Sequence, residues 1–186
     1  PNNNASARYL ELYNNGDDVV DLSTFELQRW TNGNADPSGF KILEGTLAPG
    51  GFYIVCKSSS EFLDVYGMDC DLVGGSPADS NGDDQIGLFN GDAVVDFFGV
   101  IGEDGTNTPH EFEDGRAERV DTVTSGNPTW DAAEWNIDND GGAGDGPQDA
   151  PDGFDPGAWI GAGEVTDVYG CTDTFGLNYD SEATAD

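Results

Sequence analysis

The sequence predicts an all-β fold, a β-sandwich with one short helix. Three observations carry that reading. Short apolar–polar alternations recur along most of the chain, and Gly, Asn, Asp and Pro clusters separate them about every 8–12 residues. The 186 residues include 10 Phe, 6 Tyr and 4 Trp, enough aromatic bulk for one packed core. Only one stretch carries a helix-start signal.

The elements follow in order. Residues 1–8 (PNNNASAR) are polar and read as a loop or edge. Arg8 to Leu27 holds two apolar runs around Asn14-Asn15-Gly16-Asp17-Asp18. Asn-Gly tolerates the positive φ of tight turns, so the stretch reads as a β-hairpin. Strands follow at Phe25–Trp30, Phe40–Leu43 and Phe52–Cys56, the last a continuous apolar run typical of a buried strand. Ser58 and Glu61 stand at capping-box spacing and open a helix through Tyr66. Gln85–Phe89 and Ala93–Val100 flank Asn90-Gly91-Asp92, a second hairpin signal. Glu103–Gly115 is a polar loop, and Ala117–Val123 a late strand.

Beyond Asp131 the composition shifts. No Lys or Arg follows Arg119, and residues 138–157 are Gly-, Pro- and Asp-rich. Such a segment has too little apolar surface to fold by burial. It reads as an acidic linker or as a loop ordered by metal, with Trp130, Trp135 and Trp159 pinning its ends. The expected organisation is a sandwich over 1–136, an acidic extension over 137–167 and a separate pattern over 168–186.

Six Lys and Arg stand against 37 Asp and Glu, a formal charge of −31. That surface repels nucleic-acid phosphates and anionic lipid. It suits solubility in high salt, divalent cations, or both. No stretch approaches the roughly 18 apolar residues of a membrane span. The chain begins at Pro1 and stops at Asp186, which reads as a piece processed from a longer protein. Cys56 and Cys70 close a short loop if bonded; Cys171 is left over. A disulfide implies an oxidising, extracellular compartment, and three free thiols a cytosolic one; the composition favours the former. Asn4-Ala5-Ser6 is an N-glycosylation acceptor in a eukaryotic secretory route.

Four ordered motifs resemble the lamin-tail domain in its secreted form. They are Tyr9-Leu10-Glu11-Leu12-Tyr13-Asn14 with Val20-Asp21-Leu22-Ser23; Leu47-Ala48-Pro49-Gly50-Gly51 before Phe52–Val55; Gly82-Asp83-Asp84-Gln85-Ile86-Gly87-Leu88; and Val94-Val95-Asp96-Phe97-Phe98-Gly99. The resemblance covers residues 8–136 and implies an immunoglobulin-like sandwich. It also implies a further strand ahead of Tyr9, for which Pro1–Ala7 is too short and too polar. The strand either lies upstream or comes from another polypeptide, so Tyr9, Leu10, Glu11, Leu12 and Tyr13 form the expected assembly edge. Separately, Tyr169-Gly170-Cys171-Thr172-Asp173 with Leu177–Asp180 and Ala183–Asp186 is similar to the YGCTD…NYD repeats of extracellular surface proteins.

Catalytic chemistry is poorly supplied. His110, the single histidine, lacks the second histidine of a zinc-protease motif and reads as a solvated loop residue. Calcium is the credible ligand, because it takes hard oxygens from carboxylates, amides and carbonyls. Asn136, Asp138 and Asp140 alternate before Gly141, with Asp145 or Asp149 to close the shell; Pro147 stands where an EF-hand needs Glu. A second candidate set is Asp79, Asn81 and Asp83. A third is Asp173, Asn178, Asp180 and Asp186. All three sets also read as ordinary solvated turns.

The expected function is a non-catalytic extracellular structural or adhesion module, a subunit of a cell-surface assembly or filament. It would be calcium-stabilised and self-associating, through strand donation in the sharper version. The rival expectations are an accessory domain of a secreted nuclease or other hydrolase, and a carbohydrate-binding module with glycans as partners. Direct nucleic-acid binding and membrane insertion are not expected.

Overall fold

A computed structural model of the chain describes residues 5–113, 115–139 and 155–162. Eleven strands fall within them: β1 (Tyr9–Tyr13), β2 (Val20–Asp21), β3 (Phe25–Trp30), β4 (Gly39–Ile42), β5 (Thr46–Leu47), β6 (Phe52–Cys56), β7 (Leu72–Val73), β8 (Gln85–Asn90), β9 (Ala93–Phe98), β10 (Arg116–Arg119) and β11 (Trp135–Asp138). Helix α1 spans Ser59–Tyr66.

One layer is the sheet β4-β3-β8-β9. The facing layer contains β1-β6-β7, and β10-β11 forms a separate two-stranded ladder. Strand alternation sends Leu10 and Leu12 of β1 and Tyr53 and Val55 of β6 inward, against Phe25 and Leu27 of β3 and Ile86 and Leu88 of β8. Leu22, Leu43, Leu47 and Ala78 complete this core. The outer face of β1 and β6 carries the alternate residues. There Tyr9, Ile54 and Cys56 meet Phe62 and Tyr66 of α1.

The Arg8–Leu27 stretch is not a hairpin. β1 pairs antiparallel with β6, and β2 pairs antiparallel with β5. The Asn-Gly segment instead crosses between sheets. Asn14 holds it there by donating through Nδ2 to the carbonyls of Asp18 and Leu47, at 2.8 and 3.0 Å, while Gly16 N–H donates to Asn14 Oδ1. Neither Asn15 nor Gly16 takes the positive φ of a tight hairpin turn, and long-range pairing with β6 offers a longer ladder and a buried face. The second hairpin forms as expected, with β8 and β9 antiparallel and joined at Asn90–Ala93.

The helix begins where expected, with Ser58 extended at φ −142°. The capping-box bond is not made; the Ser58 hydroxyl faces Ser60 Oγ at 3.3 Å. Gly67 ends the helix at φ 73°, the left-handed conformation in which a side chain is strained. Cys56 and Cys70 are joined in a disulfide that fastens the segment after α1 to β6.

His110 is a correction. It is fully buried rather than solvated. Its ring packs against Phe98 and Trp130, and Nδ1 lies 3.0 Å from Thr108 Oγ1. Burial holds its pKa below the ordinary histidine value, so it is a neutral core residue at pH 7. Gly82 explains part of this loop's course. Its φ is 115°, and a Cβ there would lie 2.3 Å from Glu113 Cα. Only glycine lets the Gly82 carbonyl accept from Phe112 N–H at 2.8 Å.

Candidate functional site

The site lies between β1 and β10. The hydrogen-bonding parity of each strand shows which backbone groups face it. Lys57 N–H donates to the Arg8 carbonyl, and Asn14 N–H to the Gly51 carbonyl, in the register that sets Leu10 opposite Val55. Even-numbered residues of β1 therefore bond to β6. The N–H and C=O groups of Tyr9, Glu11 and Tyr13 point the other way. On β10, Val120 N–H donates to Glu134 O, in the register that sets Glu118 opposite Asn136. By the same alternation Ala117 and Arg119 turn their backbone groups away from β11. Two strand edges thus flank one cleft.

The cleft has a volume of about 400 Å³. Its floor is the inner face of the opposite sheet, with Leu27, Ile86, Leu88 and Phe98. Leu10 and Leu12 line one wall and Ala117 and Arg119 the other. The walls are bridged by side chains instead of a backbone ladder. Trp159 Nε1 donates to the Arg119 carbonyl at 2.6 Å, and its ring lies 5.1 Å from that of Tyr13. The two walls belong to separate hydrogen-bonded sheets. Residues 155–162 cross the outside of the cleft as a strap. Asp155 pairs with Arg116, and Gly157 N–H donates to Glu11 Oε2. Beyond Tyr13, Asn15 Nδ2 donates to the Thr124 carbonyl at 3.0 Å and ties the two walls together.

Charge is managed tightly here. Burial, foremost, raises the Glu11 pKa to about 7; Asp155 and Glu118 add to this, and the Gly157 bond and Arg116 oppose it. Burial also raises Asp96, against the opposing pull of Arg119. Arg119 reaches both Asp96 and Glu134, with its guanidinium 4.2 Å from the centre of the Trp135 ring. Trp130 and Trp135 in turn pack edge-on against Phe98. This aromatic and ionic cluster anchors β10 and β11.

Asp79, Asn81, Asp83, Asn136 and Asp138, from the expected calcium sets, fall among the described residues. Asp79 pairs with Arg8 at 3.0 Å and Lys57 at 2.6 Å. Asp83 accepts from Asn32 Nδ2 at 2.8 Å, and Asn81 hydrogen-bonds it as well. The Asp79 and Asp83 carboxylates thus answer to different partners. Asn136 and Asp138 lie on β11 and pair with Glu118 and Arg116. Among the described residues, no three acidic, histidine or cysteine side chains converge on a point suited to a metal. Asn4, Asp140, Asp145, Asp149, Cys171, Asp173, Asn178, Asp180 and Asp186 lie outside the described residues.

Of the expected site, Tyr9 to Tyr13 are found as a strand edge. The opposing wall was missed. The sequence signals a strand near Ala117, but nothing in a four-residue run says that it lies across from β1. Trp159 carried a usable signal, as a lone aromatic in polar surroundings placed to pin its segment.

The family model of the lamin tail domain matches residues 1–102, more than half of the chain. This chain belongs to the lamin tail domain family. No curated protein and no solved structure matches it. The family is immunoglobulin-like and non-enzymatic, in keeping with the mostly β architecture and single short helix. The match ends at Gly102, so β1 and the cleft floor belong to the lamin tail domain, whereas β10, β11 and the strap lie beyond it.

Proposed function

We propose that this lamin tail domain is a non-catalytic structural module of an extracellular assembly, and that it is joined to its neighbour by a β-strand received in the cleft between β1 and β10. The observation that carries the reading is the outward-facing edge of β1, set beside a second edge above an apolar floor. An extended segment entering there gains main-chain hydrogen bonds from the walls and buries alternate side chains against Leu27, Ile86 and Leu88. The disulfide supports an oxidising compartment. Calcium belongs to the proposal as a ligand of the acidic segments 136–149 and 173–186, supported by the charge of −31.

Glu11→Pro and Ala117→Pro test the joint. Each removes a backbone donor that faces the cleft and leaves the ladders to β6 and β11 intact, the one setting in which an edge strand accepts proline. Size-exclusion chromatography with light scattering should show the wild-type chain self-associating and both variants monomeric. Assembly of both variants at the wild-type concentration would overturn the reading. Thermal melting with and without EDTA tests calcium. Calcium is upheld by a melting temperature that falls on chelation, and removed from the account by an unchanged one.

A further inference from the structure

Resting on that reading, we infer that residues 155–162 are a built-in inhibitor of the joint, with Trp159 seated where an incoming strand would bond to β10, so that assembly waits on release of the strap. The Arg119 carbonyl is one of the edge acceptors turned away from β11. A strand added to β10 would donate a backbone N–H there. In the folded chain Trp159 Nε1 already donates to that carbonyl at 2.6 Å. The same indole lines the cleft, with its ring 5.1 Å from that of Tyr13. It therefore reaches from one wall to the other, and an added strand has to displace it. Gly157 works in the same way on the other wall, where its N–H is bonded to Glu11 Oε2.

The strap is built to come away. Two of its backbone bonds are internal: Ala158 N–H donates to the Asp155 carbonyl at 3.1 Å, and Ala162 N–H to the Trp159 carbonyl at 2.9 Å. Those bonds travel with the strap when it leaves. Asp155 is exposed, and an exposed ion pair such as that with Arg116 holds weakly. Arg116 keeps Glu118 at 2.5 Å after Asp155 departs, and the Arg119 guanidinium stays with Asp96 and Glu134. Release therefore strands neither cation. The indole's pose has a precise requirement of its own. A Cβ on Gly161 would lie 2.3 Å from Cζ2 and Cη2 of Trp159, so the ring keeps its place because residue 161 has no side chain.

The test uses the full chain, with a second copy as the incoming partner and sedimentation equilibrium as the readout. Trp159→Ala empties the indole's place, and Gly161→Ala forces the indole out while keeping it in the chain. Both should tighten association, by about tenfold where about one chain in ten holds the strap open. Adding Glu11→Pro to either variant should return it to monomer, because the gain runs through the cleft edge. Unchanged or weaker association in the two strap variants, with Glu11→Pro alone monomeric, overturns the inference and leaves the cleft as the joint. Tighter association that survives Glu11→Pro also overturns it, since the gain then comes from another surface. If neither the strap variants nor Glu11→Pro changes association, both readings fall.

Discussion

The two sides of β1 are built differently. On one side and over its outer face the strand is sealed: β6 completes the ladder, α1 packs Phe62 and Tyr66 against Tyr9, and the Cys56–Cys70 bond fastens the segment behind them. On the other side the strand meets side chains and a strap instead of a ladder. The sealed flank resembles a finished protein interior. The cleft flank keeps main-chain donors and acceptors at an edge, which folded proteins ordinarily cover or blunt because an open edge recruits other strands. Closed packing and an open edge are thus divided between the two sides of one five-residue strand.

Substitutions should expose that division. Phe62 is fully buried, so Phe62→Ala should produce the largest loss, about 3–5 kcal/mol in urea denaturation. Replacing Cys56 and Cys70 together by Ser opens a loop closed across a sequence separation of 14, and should cost about 3 kcal/mol in the same assay.

The cleft side should respond less, and in one case with the opposite sign. Glu11 has a pKa of about 7 in the folded chain, above the unfolded value near 4.3. Below about pH 4.3 the group is protonated in both states and costs nothing. As pH rises toward about 7 the unfolded state releases the proton first, so stability falls, and above about 7 the full cost stands. Glu11→Gln should therefore stabilise the chain at pH 8, by about 1–2 kcal/mol after allowance for solvent screening, and change little at pH 4. Denaturation at the two pH values checks both statements. Trp159→Ala should cost about 1 kcal/mol or less, since it removes a ring contact and one hydrogen bond from a surface strap. A loss near that of Phe62→Ala would show the strap to be part of the core.

Much of the fold was legible because its signals are local. Phe52–Cys56 read as buried from its continuous apolar run. Asn90-Gly91-Asp92 marked its hairpin because the strands it joins do pair. Ser58 and Glu61 marked the helix start. The failures share one cause. Asn14–Asp18 carries turn chemistry as strong as the true hairpin, but β1 and β2 pair with β6 and β5, segments that no local signal connects to them. His110 sits in a polar stretch, and only the convergence of Phe98 and Trp130 makes its surroundings apolar.

The sequence by itself determined that this is an all-β lamin tail domain, because period-two alternation and four ordered motifs are properties of short stretches. The resemblance also made Tyr9–Tyr13 an expected edge. Tertiary structure alone decided what that edge faces. Arg119 lies more than a hundred residues from Tyr13, and its ion pairs with Asp96 and Glu134, its contact with Trp135 and the Trp159 bridge help to hold β10 opposite β1. A cleft is a relation between distant segments, and no window of residues encodes one.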